Sequence, residues 1–109
     1  MKVFKIKTND RVPSIELELS PASDDITSLP VVFNLRNRET GLTKVARGTA
    51  VITNPTNPPR VRYDWAAGDT DTDGLYDAEV EVMFPGNKPG TYPSHEDDNI
   101  VVIISQDIA

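Results

Sequence analysis

An all-β sandwich is the fold this sequence predicts, and three observations predict it. Apolar residues recur at every second position in short runs, and no stretch carries the 3.6-residue stripe of an amphipathic helix. Clusters of Gly, Pro, Asn and Asp separate the runs at fairly even intervals. Period-two alternation points every other side chain to one face of a strand, so each run offers one face to a core and the other to water.

Taken in order, Phe4 and Ile6 share one face while Lys5 and Lys7 share the other. Ile15, Leu17 and Leu19 alternate with Ser14, Glu16 and Glu18, with Pro13 at the start, where a missing N–H costs least. Val31, Phe33 and Leu35 alternate with Val32, Asn34 and Arg36. A weaker candidate places Ala46, Ala50 and Ile52 on one face, with Gly48 marking a bulge or a close backbone approach. Val61, Tyr63 and Trp65 alternate with Arg60, Arg62 and Asp64. Tyr76, Ala78, Val80, Val82 and Phe84 alternate with Asp77, Glu79, Glu81 and Met83. The last run, Ile100 to Ile104, is apolar on both faces, so it is expected to be covered on both sides or paired with a partner. Between the runs lie the turn groups Asn9 to Arg11, Ser20 to Asp25, Arg38 to Gly41, Asn54 to Pro59, Gly68 to Gly74 and Pro85 to Gly90.

These are about seven strands in 109 residues, which is one domain (1–109) with one core. The chain contains no cysteine, which excludes disulfides, thiolate zinc sites and thiol nucleophiles. Seventeen acidic against eleven basic residues give a net charge of −6, which repels phosphate backbones and anionic lipid. Neither nucleic acid nor a membrane is therefore expected as a partner. No run approaches the length of a membrane-spanning helix, and Met1-Lys2-Val3-Phe4-Lys5 lacks the apolar core of a signal peptide. A soluble chain made in a cytoplasm is the expectation.

The segment from Arg60 to Phe84 carries most information. If its two strands pair antiparallel with Trp65 opposite Tyr76, then Arg62 meets Glu79 and Arg60 meets Glu81, leaving the aromatics on the core face. This register explains the acidic row Asp77, Glu79 and Glu81 structurally; the other reading of that row is a ligand-binding patch. Asp73-Gly74-Leu75-Tyr76 has the form of a tyrosine corner, in which a Tyr near the start of a strand sends its hydroxyl back to an upstream backbone group. Trp65 is the large aromatic expected on the facing strand. Trp65, Gly74 and Tyr76 together point to an immunoglobulin-like antiparallel sandwich, with Ala78 where antibody domains place the second cysteine of their bridge.

The same loop admits a metal reading. Asp69, Asp71 and Asp73 alternate and are followed by Gly74, the opening of a calcium loop. The pattern stops short: its twelfth position is Val80, where a bidentate Glu belongs, and loop aspartates also initiate Asx-turns. No other cofactor is implied.

The string Val61-Arg62-Tyr63-Asp64-Trp65-Ala66-Ala67-Gly68-Asp69-Thr70-Asp71-Thr72, continued by Gly74-Leu75-Tyr76-Asp77-Ala78-Glu79-Val80-Glu81-Val82, resembles the immunoglobulin-like domain of tailed-phage structural proteins, including the N-terminal domain of baseplate upper proteins. Thr91-Tyr92-Pro93 with Ile100 to Ile103, and Val32 to Leu35 with Thr40-Gly41, resemble its closing and earlier strands. The resemblance covers roughly residues 28 to 105. It implies a non-enzymatic virion structural protein: an adaptor or decoration domain present in multiple copies and attached to phage tail, baseplate or capsid proteins. A baseplate upper protein continues into a long region that attaches the receptor-binding protein, whereas this chain ends at Ala109, so an accessory protein is the expected form.

Two other function classes compete with attachment. His95, beside Ser94 and Glu96-Asp97-Asp98, offers an acid–base pair, yet no nucleophile elbow, HExxH or phosphate loop accompanies it. No catalytic residue is assigned. A host-surface or carbohydrate-binding module would need an exposed aromatic, for which Tyr92 is the candidate. For protein–protein attachment, Met1 to Lys7 and the two-faced strand Ile100 to Ile104, Val101 and Ile103 above all, are the expected contact residues, through strand addition to a neighbouring subunit.

Overall fold

The computed structural model describes residues 2–19, 25–93 and 99–106, and among them the protein is all strand and turn. Nine strands run in chain order: β1 (Lys2–Lys7), β2 (Ile15–Glu18), β3 (Val31–Asn37), β4 (Thr43–Thr49), β5 (Val51–Asn54), β6 (Arg60–Tyr63), β7 (Gly74–Phe84), β8 (Lys88–Tyr92) and β9 (Ile100–Ser105). The larger sheet has the order β1-β9-β7-β3-β4, with β8 also on β7; the smaller has the order β2-β6-β5. Thus β2, β6 and β5 occupy the places of immunoglobulin strands B, E and D. The places of C, C′, F and G fall to β3, β4, β7 and β9. All pairings are antiparallel except β1 with β9, which is parallel.

Nine strands stand where the alternation marks seven runs, for two reasons. The weak run divides into β4 and β5, which belong to different sheets. The supposed turn Pro85 to Gly90 turns only at its start and then becomes β8. That strand and β9 lie end to end along one edge of β7: Tyr92 is level with Val80 and Ile100 with Ala78. Seven residues separate Tyr92 from Ile100 where an unbroken strand has one. Turn-type residues do not reveal such a break, because Pro89 and Gly90 in an edge strand look like loop.

The alternation seen in the sequence fills the core. Ile6, Ile15, Leu17, Leu19, Val31, Phe33, Leu35, Val61, Tyr63, Trp65, Tyr76, Ala78, Val80 and Val82 are all buried in one cluster. At its centre the Phe33 and Tyr63 rings stack across the two sheets with centroids 4.5 Å apart. Trp65 meets both edge-on, at 5.8 and 5.6 Å. Such contacts add about 0.5–1.5 kcal/mol per pair to the burial of each ring. The indole N–H donates to Pro13 O at 3.1 Å, so the largest core side chain is satisfied where it is buried.

Two expectations are corrected, one about strand partners and one about the inward face of β4. The strands of the Arg60 to Phe84 segment do not pair; β6 lies between β2 and β5, and β7 lies in the other sheet. Arg62 is level with Glu16, and Arg60 with Glu18, to which it forms an ion pair at 3.4 Å. Asp77 instead pairs with Arg38 at 2.6 Å, and Glu81 with Arg47 at 3.2 Å. Arg62 is bound by Asp64 at 2.9 Å rather than by Glu16, and acids alternate on both candidate strands, so charge pattern alone could not choose between Glu16/Glu18 and Glu79/Glu81. In β4 the inward residue is Val45, while Ala46 is exposed. The β3–β4 ladder shifts register on either side of Leu35, and Arg47 takes φ 54° with its N–H donated to Asn34 Oδ1 at 2.7 Å. That bulge reverses the alternation. Gly48 is a close approach as well: a Cβ there would lie 2.6 Å from Tyr63 Cε1.

Candidate functional site

The loop joining β6 to β7 crosses between the sheets, and two of its three aspartates, Asp69 and Asp71, are engaged separately. Asp69 accepts hydrogen bonds from Tyr63 Oη at 2.6 Å and from Ala66 N at 2.8 Å. Burial first, and then the Asp69 carboxylate, holds the Tyr63 phenol far above its ordinary range. Asp71 accepts from the Lys44 ammonium and the Thr72 hydroxyl, which hold it below the usual carboxylate range. Thr70, buried between them, donates its hydroxyl to Asp10 O at 2.8 Å. Asp69, Asp71 and Asp73 are therefore not gathered around one point, and no group of three or more metal-ligating side chains occurs among the described residues. Period-two spacing in a twisting loop sends Asp69 and Asp71 to different partners. Tyr76 Oη donates to Thr72 O at 2.7 Å, four residues upstream, and Gly74 opens the strand at φ 148°. Trp65, Gly74 and Tyr76 all serve the framework.

The two residues expected to recruit a partner strand, Val101 and Ile103, lie on β9, whose edges are taken by β1 and β7. Strand addition at β9 is thereby corrected: its N–H and C=O groups already serve two neighbours. Among the described residues no strand pairs with the outer edge of β1, and Lys2, Lys5 and Lys7 line that strand, the kind of charge that deters edge pairing.

What remains of the two-faced apolar signal is a strip on the outer face of the larger sheet. Register places Val3, Val101 and Asp77 on one level and Lys5, Ile103 and Leu75 on the next. Val3 is 41% exposed and Leu75 38%, whereas Val101, hemmed in by its neighbours, is only 4% exposed. Ile103 is half-buried. Val3 and Leu75 had the right parity in the sequence, opposite to Phe4 and Tyr76. Their adjacency to Val101 and Ile103 depends on strand order, which the sequence does not display.

Beside the strip opens a cleft of about 290 Å³ lined by Asn34, Leu35, Arg36, Thr43, Asp77, Ala78 and Glu79. It lies where the β3–β4 bulge pulls the ladder apart. Asp77 and Glu81 each hold an arginine, but among the described residues Glu79 between them has no ion pair, and neither does Arg36. Tyr92 is half-buried and packs against the core cluster, which removes it as an exposed stacking platform. Ser94, His95 and Glu96 to Asp98 lie outside the described residues. No described helix is long and apolar enough to cross a membrane. No protein-family model and no curated protein matches the chain.

Proposed function

We propose that this chain is a non-enzymatic structural module of a tailed-phage particle, attached by protein–protein contacts to its tail, baseplate or capsid. One observation carries the attachment: the outer face of β1, β9 and β7 presents Val3, Ile103 and Leu75 to solvent around Val101, beside the charged side chains of Lys5, Asp77 and Glu79. Among the described residues no further layer covers that face, and a partner that took the gathered apolar side chains out of water would be favoured there. The particle setting rests on the resemblance of Val61 to Val82, Thr91 to Pro93 and Ile100 to Ile103 to phage immunoglobulin-like domains. Small contact areas suffice in such a setting, because many copies held in register convert weak contacts into avidity.

The test is incorporation. Purified particles should contain the chain in a fixed stoichiometry, visible by electron microscopy, and Ile103→Lys with Leu75→Lys should abolish its incorporation while the free protein still folds. Undiminished incorporation of that double variant, or particles that never contain the chain, would overturn the proposal.

A further inference from the structure

We infer that the bulge at Arg47 is an edge guard: it keeps β4 from adding a strand of a second molecule. Among the described residues, β1, β2, β4, β5 and β8 each have one unpaired edge. All but β4 are defended by length or by side chains. β2 and β5 have four residues each, with Glu16 and Glu18 on the first and a register shift within the second. β8 carries Pro89, which has no N–H to give. β1 carries Lys2, Lys5 and Lys7, none of which has a carboxylate partner among the described residues, so their charge meets any incoming strand. β4 is longer than any of these, with seven residues, and its β-branched Thr43, Val45 and Thr49 favour an extended chain. Its two cations defend it poorly, because each is tied to a carboxylate of its own chain: Lys44 to Asp71, and Arg47 to Glu81 at 3.2 Å. What protects β4 is its backbone.

Phe33 is level with Gly48 and Leu35 with Val45, so β4 runs through three residues where β3 runs through two. Between Leu35 and Arg36 it runs through two where β3 runs through one. An added strand needs donors and acceptors that repeat along a straight edge, about every 6.8 Å. An excess residue breaks that repeat, bends the strand and tightens its twist. At Arg47 the φ of 54° is left-handed, and the amide donates to Asn34 Oδ1 at 2.7 Å, back toward β3. Packing on either side holds the kink in place. Val45 is buried in the core cluster, and Gly48 sits where a Cβ would lie 2.6 Å from Tyr63 Cε1. Sliding β4 by one residue would turn Val45 out of the core or drive a side chain into that ring, so the excess stays at Ala46 and Arg47.

The test is deletion of Ala46, whose side chain is exposed. With Val45 still level with Leu35 and Gly48 with Phe33, the deletion sets Arg47 level with Asn34 and leaves plain alternation from Val45 to Thr49, at unchanged net charge. In sedimentation velocity the parent should remain a monomer up to about 1 mM, whereas the deletion variant should associate at about 100 μM or below. Amide exchange should slow along β4 in the associated variant and stay unchanged along β1 and β8. A second variant, Lys44→Thr with Arg47→Asn, removes the charge and keeps the kink, since Asn accepts a left-handed backbone. It should stay monomeric. A deletion variant that keeps the parent's circular dichroism spectrum and still stays monomeric would overturn the inference. So would a parent that associates through β4, or association of the double substitution, which would assign the guarding to charge. Should the deletion unfold the chain, the double substitution still decides between kink and charge. Every arm uses the purified chain, so none depends on whether the chain enters particles.

Discussion

Replacing Asp69 by Ala separates a structural loop from a metal-binding one. The Asp69 carboxylate accepts from Tyr63 Oη at 2.6 Å and Ala66 N at 2.8 Å, so truncation strips a partly buried phenol and a loop amide of their acceptor. Hydrogen bonds to a charged group contribute about 1.5–3 kcal/mol, and about 2 kcal/mol is a fair expectation for a half-buried carboxylate. At about 2.1 cal/mol/K of unfolding entropy per residue, 1 kcal/mol moves the midpoint of a chain this long by roughly 4 °C, so Asp69→Ala should melt about 9 °C lower. Asp71 is 48% exposed and holds a surface lysine, an arrangement worth about 0.5 kcal/mol or less. Asp71→Ala should therefore shift the midpoint by about 2 °C at most. The assay is thermal unfolding followed by circular dichroism, with and without added calcium. Combining Tyr63→Phe with Asp69→Ala should cost clearly less than the sum of the two changes, because they remove the same bond. Equal losses at Asp69, Asp71 and Asp73, or a midpoint that rises with calcium in the parent and not in the variants, would refute the reasoning and restore a shared cation site.

Gly48→Ala should destabilise by about 1–3 kcal/mol in chemical denaturation, because the added methyl would sit 2.6 Å from the Tyr63 ring in a packed core. Tyr76→Phe should cost about 1 kcal/mol by the same measurement, since it deletes the bond to Thr72 O and leaves the ring in place. Stability should fall at both extremes of pH. Hydrogen bonding to Ser14 and then Arg62 lowers Asp64, and hydrogen bonding to Lys44 and then Thr72 lowers Asp71. Their contribution is complete above the unfolded aspartate value near pH 4 and is lost as the pH drops through their lower folded values. Tyr63 is raised, so its contribution is complete below the unfolded tyrosine value near pH 10 and is lost as the pH climbs beyond it. Melting temperatures across the pH range should show both limbs, and Tyr63→Phe should flatten the alkaline one.

The strip and the cleft are assembled by strand order, which no single stretch of sequence displays. Val101 and Ile103 stood out because an apolar residue at an outward position breaks the alternation of its own strand. Leu75 raised no such signal beside Tyr76, and Val3 looked like one more residue of a lysine-rich start. Arg36 and Glu79 each sat in a row of similar charges. Their lack of an ion pair among the described residues is a property of geometry: Arg38 and Arg47 reach Asp77 and Glu81 from a strand end and a bulge, and pass Glu79 by.

By itself, the sequence determined which side of most strands faces the core, from Ile6 through Phe33, Trp65 and Val82 to Ile104, because burial of alternate side chains is a local property of an extended backbone. It also determined the corner at Gly74 and Tyr76, whose hydrogen bond spans only four residues. Tertiary structure decided the rest. The choice of Glu16 and Glu18 over Glu79 and Glu81 as partners of β6 depends on how the chain crosses between sheets. The bulge that turns Val45 inward depends on Asn34 reaching the Arg47 amide thirteen residues away. The strip of Val3, Val101, Ile103 and Leu75 depends on β1 and β7 flanking β9 from opposite ends of the chain. Strand alternation repeats every two residues and is written along the chain, whereas pairing is a contest among many similar edges that only the folded whole resolves.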